Sequence, residues 1–237
     1  YDANSDVELV GGSVAATEHS VMCAGGMEHE LQTFERLICE IYPHGIVSIV
    51  ADSWDFWQVM TEFTQQLKPQ IMARDGKVVF RPDTGDPVLI VCGDPTAPAG
   101  SAERKGAMQC LWEVFGGHVN AQGYKVLDSH VGLIYGDSIT LERAEAICAG
   151  LAAQGFASTN MVFGVGSFSY QYVTRDTDGY AVKATFARIN GQDRAIFKAP
   201  KTDDGTKKSA KGLVAVVRDA QGQLQLQQNV SWQQLNH

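Results

Sequence analysis

Four polar clusters in this chain stand where apolar runs stop. Arg81-Pro82-Asp83-Thr84-Gly85-Asp86-Pro87 follows Lys77-Val78-Val79-Phe80, so an arginine, an acid and a glycine turn occupy the expected end of a β-strand. Asp52-Ser53 follows Ile46-Val47-Ser48-Ile49-Val50, and Gly136-Asp137-Ser138 follows Val131-Gly132-Leu133-Ile134-Tyr135. Gly164-Val165-Gly166-Ser167 follows Met161-Val162-Phe163. In a barrel of alternating strands and helices, that end of the strand is where chemistry is built. One polar turn is ordinary loop chemistry. Four of them, three with an acid and the last with small residues, suggest a site for a ribose phosphate.

The elements that must hold these clusters follow an α/β rhythm. Leu31, Phe34, Leu37, Ile38 and Ile41 mark one face of a helix over residues 27–42. The 46–50 strand comes next, then a helix through Trp54, Trp57, Met60 and Phe63. After the 77–80 strand, the glycines and prolines of residues 92–100 read as an exposed loop, and a helix resumes over 102–115. Residues 116–123 read as a loop or small hairpin. Thr140 is placed to cap a helix with Leu141, Ala144, Ile147 and Leu151 inward, closed by Gly155. Strand and helix in alternation imply parallel pairing with right-handed crossovers. From about residue 178 the period shifts to two, in 182–186 and 213–217, which reads as an antiparallel part of a second, smaller domain. Trp54, Trp57 and Trp112 fall on apolar helical faces and are expected in the core.

Composition narrows the class. Apolar residues make up 44% of the 237, enough for a buried core, and the net charge of −8 argues against a general nucleic-acid binder. Lysines concentrate late, at 183, 198, 201, 207, 208 and 211, where a solvated surface loop is the plain reading. Five cysteines, widely spaced and without a CxxC pair, suit reduced thiols and a cytoplasmic setting. No apolar stretch approaches the roughly 20 residues that span a bilayer. His29, His44, His118 and His130 share no metal-ligand spacing, so no zinc site is assigned.

Read together with Ala16-Thr17-Glu18-His19-Ser20, Ala51-Asp52-Ser53-Trp54-Asp55, Tyr172-Val173-Thr174-Arg175-Asp176 and Lys201-Thr202-Asp203-Asp204-Gly205-Thr206-Lys207-Lys208, the four clusters make the chain recognisable. It resembles the nicotinamide phosphoribosyltransferases, particularly their bacterial and phage members, nearly from end to end. It looks like the C-terminal half of the family's longer chains, with the last segment also missing. The resemblance implies an irregular α/β barrel of the type II phosphoribosyltransferases (residues 1–177) and part of an accompanying α/β sandwich (178–237, truncated), in a homodimer with sites at the subunit interface.

The implied reaction joins nicotinamide to phosphoribosyl pyrophosphate, releasing pyrophosphate and giving nicotinamide mononucleotide. Asp83 and Asp137 would then bind ribose hydroxyls or orient pyrophosphate carrying Mg²⁺, since carboxylates accept hydrogen bonds and bind that ion. An Asp after a strand can also simply cap the next helix. Arg81 would lie at the base pocket, with a structural ion pair as the rival reading. Gly136 belongs to the Asp137 turn, and Gly164, Gly166 and Ser167 would offer backbone N–H groups to the 5-phosphate; the family often has glycine where Ser167 stands. His19 would be phosphorylated by ATP, which stimulates the reaction; an imidazole is a competent nucleophile when its second nitrogen is held. Asp52 could be that holder, or could line the nicotinamide tunnel beside Ser53. Arg175, Lys183 and Lys198 match phosphate-binding positions, partly across the interface.

Two other readings stay open: a nicotinate or quinolinate phosphoribosyltransferase, and a non-catalytic piece that binds nucleotide or a partner. The residues that would read the base's amide lie N-terminal to this chain in the family. The 237-residue polypeptide alone is therefore expected to be inactive until its N-terminal complement is supplied.

Overall fold

A computed structural model describes residues 11–166, 169, 171–173, 177–179, 182–201 and 209–236. The strands, in chain order, begin with β1 (Ala15–Ala16), β2 (His44–Val50), β3 (Asp75–Arg81), β4 (Gly117–Val119) and β5 (Lys125–Leu127). β6 (Val131–Tyr135), β7 (Met161–Phe163), β8 (Phe186–Ile189), β9 (Gln192–Ala195), β10 (Val214–Arg218) and β11 (Leu224–Gln228) follow. Five of them form one parallel sheet in the order β1-β2-β3-β6-β7. The others pair as antiparallel hairpins, β4-β5, β8-β9 and β10-β11. This mixture of a parallel sheet and small antiparallel sheets is the α/β class that the alternation predicts.

The central strands are buried because their sequences are apolar on both faces, as a sheet covered on both sides requires. Val47, Ile49, Val50, Val78, Phe80 and Leu133 have no exposed surface. Register aligns the strand ends: Val50 opposes Arg81, Phe80 opposes Leu133 and Tyr135 opposes Phe163. The polar clusters that follow β2, β3, β6 and β7 thus emerge side by side.

Helices cover the sheet. α1 (His19–Ala24) and α2 (Glu30–Arg36) precede β2, and α2 continues as a π-turn over Leu37–Ile41. α3 (Phe56–Gln58), a second π-turn (Val59–Phe63) and α4 (Thr64–Met72) make one stretch. α5 (Pro87–Cys92), α6 (Ala102–Lys105), α7 (Ala107–Phe115) and α8 (Leu141–Ala153) complete the layers.

The structure departs from the sequence pattern at several places. Ile41 is 45% exposed rather than inward, because the π-turn's wider winding rotates the end of the helix out of the 3.6-residue phase. Leu141 is 80% exposed: it is the first residue after the Thr140 cap, and the buried face begins a turn later at Ala144, Ile147 and Leu151. Residues 182–185 are irregular, and β8 begins at Phe186. Trp54 is buried, but in the loop after β2, where it meets Phe197 edge-on at 5.0 Å in a small cluster with Cys23 and Ile196. Trp57 is in the main core, and Trp112 packs against it half-buried.

Arg74 is a structural cation that the pattern does not reveal. Only 8% exposed, it donates to the carbonyls of Ile38 and Tyr42, where the α2 stretch ends, and to Gly45 at the start of β2, 3.0 Å away. Terminal helix carbonyls lack intrahelical partners, and one guanidinium fork satisfies them here. Arg74→Leu should strand the buried Ile38 carbonyl and weaken the ties to Tyr42 and Gly45, at a cost of about 3 kcal/mol. That would lower the melting temperature by roughly 6–12 °C in a domain of this size. A shift below about 2 °C would show that water replaces the guanidinium without loss.

Candidate active site

The acid at the end of β2 organises the site. Asp52 has no exposed surface, and its Oδ2 accepts the backbone N–H of Asp83 at 3.0 Å. Its Oδ1 lies 3.6 Å from Nε2 of His19, the first residue of α1. The other ring nitrogen, Nδ1, is 3.1 Å from Oγ of Ser53, which is also wholly buried. Behind Ser53 lies Cys23, whose thiol hydrogen-bonds it and is pushed up to about 11, chiefly by burial. Asp52 and Ser53 thus form the floor beneath the imidazole. Lys198 approaches the same nitrogen as Asp52, with Nζ 3.5 Å from Nε2.

Arg81 is the last residue of β3, and its side chain is 14% exposed. Its Nε lies 3.3 Å from Asp83 Oδ2; its Nη2 donates to the Thr17 carbonyl at 2.7 Å and sits 3.7 Å from the Glu18 carboxylate. A closed circuit results: His19, Asp52, Asp83, Arg81, and back through Thr17 and Glu18 to His19. Gly136 and Gly164 let the neighbouring strand ends close over it. A Cβ on Gly136 would come within 2.6 Å of Asp83 Oδ1, and one on Gly164 within 2.8 Å of the Gly136 Cα. Asp137 is half-buried in the same turn.

The strand-end acids are not the helix caps. The side chain of Asp55 accepts from Gln58 N–H at the start of α3, Asp86 accepts from Val88 and Leu89 at α5, and Thr140 accepts from Arg143 at α8. Each cap follows its strand-end acid (Asp52, Asp83, Asp137) by three residues. Capping, the rival reading of these acids, is done by other groups.

Of the phosphate-binding candidates, Lys183 and Lys198 line one cavity of ≈ 300 Å³ with Glu18, His19, Phe197 and Ser209. Gly164 donates its N–H to the Tyr135 carbonyl at 2.9 Å, so this donor is used within the fold and is not offered to a phosphate as the motif suggested. Gly166 is exposed, with nothing near its Cα that a side chain would strike. Ser167 and Arg175, like Lys207 and Lys208, lie outside the described residues. Among the described residues no three His, Cys, Asp or Glu side chains cluster as a metal cage. Asp83 and Asp137 are the carboxylates that could hold an Mg²⁺ ion carried in on phosphates, which would need only one or two from the protein.

Two site residues escape the sequence reading. Tyr135, buried at the end of β6, donates its hydroxyl to the Gly85 carbonyl at 2.7 Å and so pins the Asp83–Asp86 turn to the next strand. Burial first, and then the charges of Asp52, Asp137, Asp83 and Asp86, hold its phenol neutral. Glu30, at the start of α2, is 2% exposed. A helix N-terminus favours a carboxylate, but burial, followed by the nearby charges of Asp55 and Asp52, outweighs it and raises Glu30 to about 8.

The sequence profile of the Nicotinate phosphoribosyltransferase (NAPRTase) family matches residues 4–233. The chain belongs to this family. It is 63% identical over 220 residues to the nicotinamide phosphoribosyltransferase of Acinetobacter baylyi (strain ATCC 33305 / BD413 / ADP1), a match covering 90% of this chain and 44% of that protein. It is 41% identical to the protein of the same name from Mycoplasma pneumoniae (strain ATCC 29342 / M129 / Subtype 1), over 90% of this chain and 47% of the relative. The identity is 35% with that of Xanthomonas campestris pv. campestris (strain 8004), over 92% and 44%. The chain therefore spans less than half the length of these relatives. Among the described residues, no helix is long and apolar enough to cross a membrane.

Glu30 makes folding pH-dependent. Its folded value near 8 lies above the unfolded 4.5, so the neutral acid's contribution is complete below 4.5 and fades as pH rises through 8. Wild type should lose on the order of 3–5 kcal/mol across that window. Glu30→Gln, which keeps the shape without the ionisation, should flatten the slope in urea unfolding measured from pH 5 to 9. Parallel profiles for the two proteins would assign the pH dependence to another group.

Proposed function

We propose that this chain carries part of the active site of a nicotinamide phosphoribosyltransferase acting in NAD salvage. The observation that carries the reading is the closed circuit joining His19, Asp52, Asp83 and Arg81 at the carboxyl ends of adjacent parallel strands. The names of the relatives support it. In the reaction, the pyridine nitrogen of nicotinamide attacks C1 of phosphoribosyl pyrophosphate, the C1–O bond breaks, and pyrophosphate leaves. Arg81 binds the base, Asp83 and Asp137, the latter in the turn opened by Gly136, take the ribose hydroxyls, and the backbone at Gly166 and Ser167 receives the 5-phosphate. Arg175, Lys183 and Lys198 hold the remaining phosphates, partly across a homodimer interface. Asp83 and Asp137 would hold Mg²⁺ arriving with pyrophosphate, and the ion would neutralise the leaving group's charge.

ATP phosphorylates His19 in this reading. An unprotonated imidazole nitrogen attacks the terminal phosphorus, the bond to ADP breaks, and water later hydrolyses the N–P bond. Asp52 and Ser53 orient the ring, and Lys198 offers a cation to the incoming phosphate. The free thiols of Cys23, Cys39, Cys92, Cys110 and Cys148 suit a cytoplasmic protein.

The reading is tested in a catalytically active protein containing residues 1–237. Asp83→Ala should lower nicotinamide mononucleotide synthesis at least ~100-fold, the usual worth of a transition-state electrostatic contact. Synthesis within a few-fold of wild type removes Asp83 from the site. Labelled ATP should leave an acid-labile, base-stable adduct that His19→Ala abolishes; label persisting in the variant, or none in an active wild type, removes His19. Preference for nicotinate over nicotinamide would select the acidic-base reading, and binding without turnover of either would make the chain non-catalytic.

A further inference from the structure

Thr17 is tied on three sides at the mouth of this site. It is 3% exposed, directly after β1. Its N–H donates to the Ser48 carbonyl at 2.9 Å, and its Oγ1 accepts the N–H of Val50, the last residue of β2, at 3.0 Å. Its carbonyl accepts Nη2 of Arg81 at 2.7 Å. The guanidinium is thus aimed by a carbonyl whose own place is fixed by a hydroxyl two strands away from β3. Two residues further along the chain stands His19.

We propose that Thr17 is a positioning residue for Arg81: its hydroxyl, anchored on Val50, holds the carbonyl that sets the guanidinium's angle toward the base. The hydroxyl does not touch substrate. It makes β1 and the end of β2 one rigid unit, so the segment carrying Glu18 and His19 and the guanidinium of Arg81 move together or not at all. Thr17→Val removes the anchor and strands the Val50 N–H, and Thr17→Ser preserves both. The inference rests on the assignment of Arg81 to the base pocket.

The experiment is a double-mutant cycle in a catalytically active protein containing residues 1–237. Thr17→Val should raise the KM for nicotinamide at least ~5-fold with a smaller change in kcat, the size expected for one misdirected charge-assisted contact. Thr17→Ser should stay within about twofold of wild type. In an Arg81→Lys background the Thr17→Val effect on KM should fall below about twofold, because a residue acting through the guanidinium has nothing left to aim. Equal effects in both backgrounds, or a loss of thermal stability with an unchanged KM, would overturn the proposal. If Arg81→Lys abolishes turnover, the Nε–Hε nuclear magnetic resonance signal of Arg81 decides instead. It should shift or broaden in Thr17→Val and be retained in Thr17→Ser; an unmoved signal in Thr17→Val rejects the role. An Arg81→Lys variant with the wild-type KM for nicotinamide would sink the base-pocket assignment itself, which is a different outcome from an enzyme sensitive to Arg81 but indifferent to Thr17.

Discussion

The carboxylate of Asp52, buried at the end of a buried strand, is the constraint from which the site's geometry follows. A carboxylate without solvent is tolerated only when hydrogen bonds and charges replace the lost water. Here one oxygen takes the Asp83 N–H and the other faces the His19 imidazole. The first contact fixes where the chain turns after β3, and the second fixes the start of α1 above β2. The neighbouring backbone is locked to the same frame, since Ala51 donates its N–H to the Arg81 carbonyl at 3.0 Å. Arg81 and Asp83 can then pair only in the narrow space that Gly136 and Gly164 leave open.

Structural and chemical tasks are separated along the chain with a regular offset. After each of three strands an acid faces the site, and three residues later a different side chain caps the next helix. Capping is worth about 1 kcal/mol per helix and demands an extended backbone at that position. Had Asp52, Asp83 or Asp137 served as caps, their oxygens would be committed to helix N–H groups and turned away from the strand ends. The offset lets each loop stabilise its helix without using the strand-end acid, which at Asp52 meets His19 and at Asp83 meets Arg81.

This division explains which features were legible in the sequence. The strands were, because parallel pairing buries both faces and leaves runs such as Ile46–Val50 and Val131–Tyr135 that end abruptly in polar turns. His19, Arg81, Asp52 and Asp83 were legible as candidates from residue type and from the likeness of their motifs, and they do converge. Their contacts were not, since which oxygen meets which N–H depends on register between strands that no local pattern encodes. Ile41 and Leu141 went astray for local reasons, a π-turn and a cap position respectively. Glu30 and Arg74 were hidden for the opposite reason: an acid in a first helical turn and an arginine at a helix end look like ordinary solvated charges, and only tertiary packing covers them. For Ser167 and Arg175 the motif match remains the sole support.

Charge is distributed unevenly around His19 in a chain of net −8. Around Asp52, burial pushes the Cys23 thiol up, raises Glu30 to about 8 and holds Tyr135 as a phenol. Of the three, Glu30 alone would otherwise be an anion near neutral pH, and its raised value keeps a second like charge away from Asp52, where such charges at low dielectric repel strongly. Above His19, the segment leading into and out of the β8–β9 hairpin brings Lys183 and Lys198 to the cavity wall. That segment is bonded to the floor, as Ala199 and Lys201 donate their N–H groups to the carbonyls of Ser53 and Trp54 at 3.1 and 3.0 Å. Anchoring the segment that carries Lys198 on the loop that carries Asp52 makes the field at the imidazole a property of the fold, set by backbone hydrogen bonds rather than by mobile side chains.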